Sequence, residues 1–176
     1  MKKYLVLVGL LLLLPVVLAQ ENEIVSEDPG VTPDSFLWGV DKALEQISLL
    51  LAADPEAKAA KGLEIARERL LEVKAMAEAK NLPALEKAQN EHSKILLKVK
   101  ENIKSMADDD PEAQLENELK IEKELQEHEK EIEEVSAKLK VKIKVEGVLS
   151  AEQQAKFDEV LASLSESSED VKVEIN

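Results

Sequence analysis

The chain has 176 residues, 34% of them charged, and its 37 acidic against 23 basic side chains leave a formal net charge of -14. So acidic a polymer is repelled by nucleic acid and by anionic lipid, which excludes both as partners held through charge. There is no cysteine, so neither disulfides nor thiolate chemistry enters, and aromatic residues make up only 2% of the chain. The core must therefore be aliphatic and alanine-rich, a composition that favours long helices.

The opening "MKKYLVLVGLLLLLPVVLAQ" has two lysines, an uninterrupted apolar run from Tyr4 to Ala19, and a polar chain from Gln20 onward. A basic start, a short apolar stretch, and Val17 and Ala19 at the -3 and -1 positions read as a secretory signal, residues 1–19. The run is shorter than the ~20 apolar residues of a membrane span, and Pro15 further weakens the case for a stable membrane helix. Left uncleaved, it would be the chain's one attachment to a membrane. Either way the expected location is extracytoplasmic, in the envelope or secreted. Removing Lys2 and Lys3 leaves 21 basic against 37 acidic residues.

Residues 20–32 are an acidic linker broken by Pro29 and Gly30. An antiparallel bundle of about four helices is expected over 33–137, with helices at about 34–53, 54–80, 83–107 and 111–137. In the first, Asp34 or Ser35 can cap the start. Phe36, Leu37, Val40, Ala43, Leu44, Ile47, Leu50 and Leu51 recur at three- and four-residue spacing, the pattern of one buried face. Trp38 sits at the edge of that stripe. The second helix opens with Asp54 as cap, Pro55 at the first helical position and Glu56 at the positive end of the dipole. Leu63, Ala66, Leu70, Val73 and Ala77 form its seam.

After "NLP" the third helix carries Leu85, Ala88, His92, Ile95, Val99 and Met106 on its inner face. So short a connection makes helices two and three an antiparallel hairpin. Asp110, Pro111, Glu112 and Ala113 repeat Asp54 to Ala57 at a distance of 56 residues, one capping device used twice. Helix four runs through Ile121, Leu125, His128, Ile132, Val135 and Leu139, stepping 4, 3, 4, 3, 4, a coiled-coil seam.

From Leu139 the rhythm changes. Lys138, Lys140, Lys142 and Lys144 alternate with Leu139, Val141, Ile143 and Val145, and alternation of β-branched residues predicts a strand. Ser150 and Gln153 form a capping box for a short helix carrying Phe157, Val160, Leu161 and Leu164, and "VKVEIN" alternates again. The predicted fold is therefore mainly α, a bundle followed by a small βαβ tail over 138–176. Its lysine-lined strand edge is the expected interaction surface, for a protein partner or a second copy.

Candidate chemistry is sparse. The only two histidines, His92 and His128, fall on helical seams, and Glu124 and Glu131 lie four before and three after His128. Imidazole and carboxylate on facing helices is how bundles build metal sites, so these four are the candidate ligands. The plainer reading is that each histidine rims the core and bonds a nearby glutamate. The five glycines are scattered, with no phosphate-cradling loop, and the serines lie in caps and in "SESS" without a nucleophile elbow. No cofactor is expected, and no reaction is implied.

Pro33-Asp34-Ser35, Trp38, the run Asp54 to Lys58, and Ala66, Arg69, Leu70, Leu71 and Glu72 together resemble an exported archaeal and bacterial domain family of unknown function, over about residues 31–106. That resemblance implies a helical domain and brings no activity or ligand. "LSAEQQAKF", through Leu149, Ser150 and Gln153, is similar to the Leu-Thr-x-x-Gln motif of small periplasmic chaperones and metal-stress sensors. The leading expectation is a non-enzymatic envelope interaction protein; the alternative is a periplasmic-type chaperone or metal-responsive binder.

Overall fold

A computed structural model describes residues 28–106, 111–146 and 149–175, where the chain forms α1 (Trp38–Leu51), α2 (Pro55–Glu78), α3 (Leu82–Lys104), α4 (Pro111–Glu146) and α5 (Ala151–Ile175). The expected signal, most of the acidic linker and Asp110 of the repeated cap lie outside the described residues.

Local chemistry sets several helix ends. The Asp54 side chain accepts from Ala57 N–H (2.8 Å), with Pro55 leading α2. Asn81 does the same for α3 from Ala84 N–H (3.3 Å). At the end of α2, Lys80 takes a left-handed conformation (φ 57°). Asn81 N–H then reaches Met76 O and Lys80 N–H reaches Ala77 O, each at 3.0 Å. That paired closure satisfies the last free carbonyls of α2 and turns the chain directly into α3. Ser150 and Gln153 cap α5 reciprocally: Ser150 N–H donates to Gln153 Oε1 (2.9 Å), and Gln153 N–H donates to Ser150 Oγ (3.2 Å).

The hairpins α2–α3 and α4–α5 stack side by side. Lys120 reaches Glu56 (2.8 Å) and Lys142 reaches Glu78 (3.6 Å), so α4 runs parallel to α2 along its length. Lys156 pairs with Glu86 (3.1 Å), and Ser93 shares a hydrogen bond with Ser167 (2.6 Å), which aligns α5 with α3. Helices α3 and α4 thus face each other across the bundle's diagonal. Apolar contacts fall into two layers. One gathers Leu70, Val73, Leu85, Ile132, Leu139 and Phe157; the other gathers Leu63, Ile65, Leu96, Val99, Ile121 and Leu125. At Gly62 a Cβ would stand 2.5 Å from Val99 Cγ2, so glycine is what lets α2 and α3 approach this closely.

The βαβ tail is not there. Residues 138–146 continue α4, and α5 runs as one helix of 25 residues to Ile175. Consequently Lys138, Lys140, Lys142 and Lys144 line no strand edge. They occupy the last turns of a 36-residue helix, where cations meet the negative end of the dipole. Lys138 lies 4.0 Å from Glu134 and Lys142 pairs with Glu78. The alternation misleads because residues four apart share a face in both geometries. Lysine is also a good helix former.

A substitution pair separates the two conformations. Leu139 is 2% exposed and Val141 62%, although a strand would put both on one face. Leu139→Ala should cost about 2–5 kcal/mol, and Val141→Ala should stay within about 0.5 kcal/mol, both read from urea unfolding. Equal losses at the two positions would contradict the continuous helix.

Candidate functional site: a buried charge cluster beneath an outward-facing apolar helix

Helix α2 carries Arg69 and Glu72 one turn apart on its buried side, each only 1% exposed. A buried guanidinium needs compensating charge, and α1 supplies most of it. Arg69 Nη1 donates to Glu72 Oε1, while Nη2 donates to Glu45 Oε1 and, at 3.2 Å, to Asp41 Oδ2. The Trp38 indole N–H closes the cluster by donating to both oxygens of Glu72 (3.0 and 3.1 Å). Lys42 Nζ sits 4.1 Å above the Trp38 ring and 3.3 Å from Glu91 of α3, a cation–π contact and an ion pair together.

Docking through Trp38, Asp41, Lys42 and Glu45 turns α1 over. The stripe predicted to be a buried face is exposed instead: Phe36 is 91% exposed, Leu50 and Leu51 are 79%, and Leu37, Val40, Leu44 and Ile47 are also open to solvent. The periodicity located the apolar side of the helix correctly and assigned it to the wrong surroundings. Trp38, read as an edge residue, is the buried anchor, 9% exposed. Sequence reasoning missed Asp41, Glu45, Arg69 and Glu72 as a unit. The available signal was a charged pair, Arg69 and Glu72, interleaved with the apolar seam residues Ala66, Leu70 and Val73.

Burial pushes the Glu72 carboxyl up to about 8, against the opposing pull of Arg69 and of the Trp38 hydrogen bond. A carboxyl raised in the folded state gives stability that is full below its unfolded value near 4.5 and fades as pH rises toward 8. Urea stability should therefore fall from pH 6.5 to pH 8 with a slope approaching about 1.4 kcal/mol per pH unit. Glu72→Gln should flatten that slope. Trp38, the one tryptophan, reports the same opening through a red shift of its emission. A wild-type profile rising over this range would refute the assignment.

The second polar feature lies between the two apolar layers. His92 of α3 and His128 of α4 are both fully buried and meet across the diagonal, Nε2 to Nε2 at 2.9 Å, with ring centroids 5.2 Å apart. His128 Nδ1 lies 3.4 Å from Glu131 Oε2. If His128 donates its Nδ1–H to that carboxylate, its Nε2 is the acceptor and His92 Nε2–H the donor. His92 Nδ1 is then a lone pair, and it has no hydrogen-bond partner. Burial, reinforced by His128, holds the His92 imidazole well below its usual value. For Glu131, burial acts upward but is outweighed by His128 and Arg67, which hold the carboxyl low. Arg67 Nε is 3.3 Å from Glu131.

The four candidate ligands therefore divide. His92 and His128 come together, and Glu131 backs His128 from its far nitrogen. Glu124 contributes its backbone carbonyl to Arg67 (3.2 Å). Among the described residues no three His, Cys, Asp or Glu side chains are grouped to hold a metal ion, and no helix is long and apolar enough to cross a membrane.

No curated protein and no solved structure matches this chain. Residues 30–142 match the family model of a domain of unknown function, DUF5667. The match takes in α1, the charge cluster beneath it, the histidine pair and most of α4. By that match, the chain belongs to the DUF5667 family.

Proposed function

We propose that this protein is a non-enzymatic interaction module of the cell envelope, exported by its N-terminal segment, that binds a protein partner through the outer face of α1. One observation carries the reading: α1 docks on the bundle through its polar side and presents its apolar side to solvent. Apolar side chains placed together on a surface mark an interaction site. Here the charge cluster anchors them facing outward. Export is supported by the basic start and apolar run of residues 2–19. Within the cluster, Arg69, Glu72, Glu45 and Asp41 are engaged with one another.

The test is site-specific photocrosslinking in intact cells. A crosslinker at Leu44 should give a protein adduct, and one at exposed Lys130 on α4 should not. Protease added to those cells should reach the protein. No adduct at Leu44, or lipid adducts alone, would overturn the binding role; complete protection from protease would overturn the location.

A further inference from the structure

Building on that reading of α1, we propose its occupant: a second copy of this chain, packed α1 against α1. Leu37, Val40, Leu44, Ile47 and Leu51 step 3, 4, 3, 4. That is the spacing of a seam whose natural complement is another helix with the same step. Seven large apolar side chains are exposed between 36 and 51, Phe36, Leu37, Val40, Leu44, Ile47, Leu50 and Leu51, enough to build toward the roughly 800 Å² that each partner contributes to a standard-size interface.

Charge confines any self-pairing to a face such as this one. Each copy carries a net charge of -14, so two copies repel over most of their surface. No exposed residue between 36 and 51 is charged, because Asp41, Lys42 and Glu45 all turn toward the bundle. Contact through α1 therefore brings no like charges together. The same distribution argues against a lipid surface. A helix lying in a membrane interface carries basic residues on its polar side, and the lone cation of α1, Lys42, is engaged with Glu91 and Trp38.

A two-fold pairing is self-complementary and closed, so it gives a dimer and no filament.

The test uses the protein purified from its own envelope, as processed there. Sedimentation equilibrium should give a dimer at about 10 μM chain, as an interface of this size allows. Leu44→Glu with Ile47→Glu should weaken the dimer at least about tenfold, as loss of central anchors does. Helix content and Trp38 emission should stay unchanged, which separates interface loss from misfolding. A cysteine at Leu44 should give a disulfide-linked dimer under mild oxidation, and a cysteine at Lys130 should not. A monomer at that concentration, or a dimer indifferent to the double substitution, overturns the proposal. If the chain is monomeric while Leu44 crosslinks to a different protein in cells, the second copy is wrong and the interaction reading survives. Monomer with lipid adducts alone removes both.

Discussion

Arg69→Met should destabilise the protein by about 3–5 kcal/mol, because it strips a buried carboxylate of its counter-charge. Methionine fills much of the same volume, so a cavity contributes little. What remains is Glu72, buried beside Asp41 and Glu45 with only the Trp38 indole N–H as donor. Those three acids then repel one another across the α1–α2 contact. The loss should be smaller at pH 6 than at pH 8.5, because a carboxyl already raised by burial escapes the penalty by taking up a proton. Adding Glu72→Gln should restore most of the stability, since an amide keeps an acceptor for Trp38 without the charge. Urea unfolding followed by circular dichroism and Trp38 emission checks both variants. An Arg69→Met loss within about 0.5 kcal/mol, the range of an ordinary surface change, would mean that the cluster does not hold α1.

Why evolution would keep ions where apolar residues would pack as well follows from what the cluster orients. An isolated α1 bearing Leu37, Val40, Leu44, Ile47 and Leu51 gains most by burying that stripe against its own bundle. Three acceptors around one guanidinium give the polar side a docking geometry that the apolar side does not have. The ions therefore act as a specificity device, choosing which face looks outward.

The seams that α4 and α5 bury against other helices of this chain were legible. The seam of α4 predicted from a 4, 3, 4, 3, 4 step is buried at every position, Ile121, Leu125, His128, Ile132, Val135 and Leu139. Phe157, Val160, Leu161 and Leu164 of α5 are likewise buried. Three features were not legible, for different reasons. In "KLKVKIKV", alternation puts Leu139 and Ile143 four apart, so a helix-compatible spacing hides inside a strand-like one. Period alone cannot arbitrate over so short a run. In α1 the period was right, but periodicity carries no information on whether an apolar face meets its own core or something else. That information sat in Arg69 and Glu72, charges in a buried seam that demanded partners from another element. The "SESSED" stretch, which lies between the short helix and the alternating "VKVEIN" of the expected tail, is helical, and Ser167 is bonded both to the preceding turn and to α3. Ser167 Oγ donates to Ser163 O (2.7 Å) and accepts from Ser93 Oγ of α3 (2.6 Å). Tertiary bonding outweighed the weak helix propensity of serine.

The histidine pair makes the second large prediction. His128→Leu leaves His92 Nε2–H without an acceptor in the middle of the core, and should cost about 1–3 kcal/mol. His92→Leu removes the donor and spares the His128 bond to Glu131, so its cost should be smaller. Replacing both should be near neutral or stabilising, since two leucines extend the apolar layers on either side and leave nothing unpaired. The acid limb of stability should change with them. A histidine held below its ordinary value gives stability that is complete above the unfolded value near 6.5 and declines as pH falls through it. Glu131, also held low, adds its own loss only below about 4.5. The groups facing the pair are Glu131 and, through it, Arg67, so the upper part of the decline, between about pH 6.5 and 5, belongs to the His92 imidazole. In the double variant that part should vanish while the loss below about pH 4.5 stays, as the other carboxylates titrate. A double variant as unstable as His128→Leu, with its decline still beginning near pH 6.5, would show that the 2.9 Å contact is not a hydrogen bond between two neutral rings.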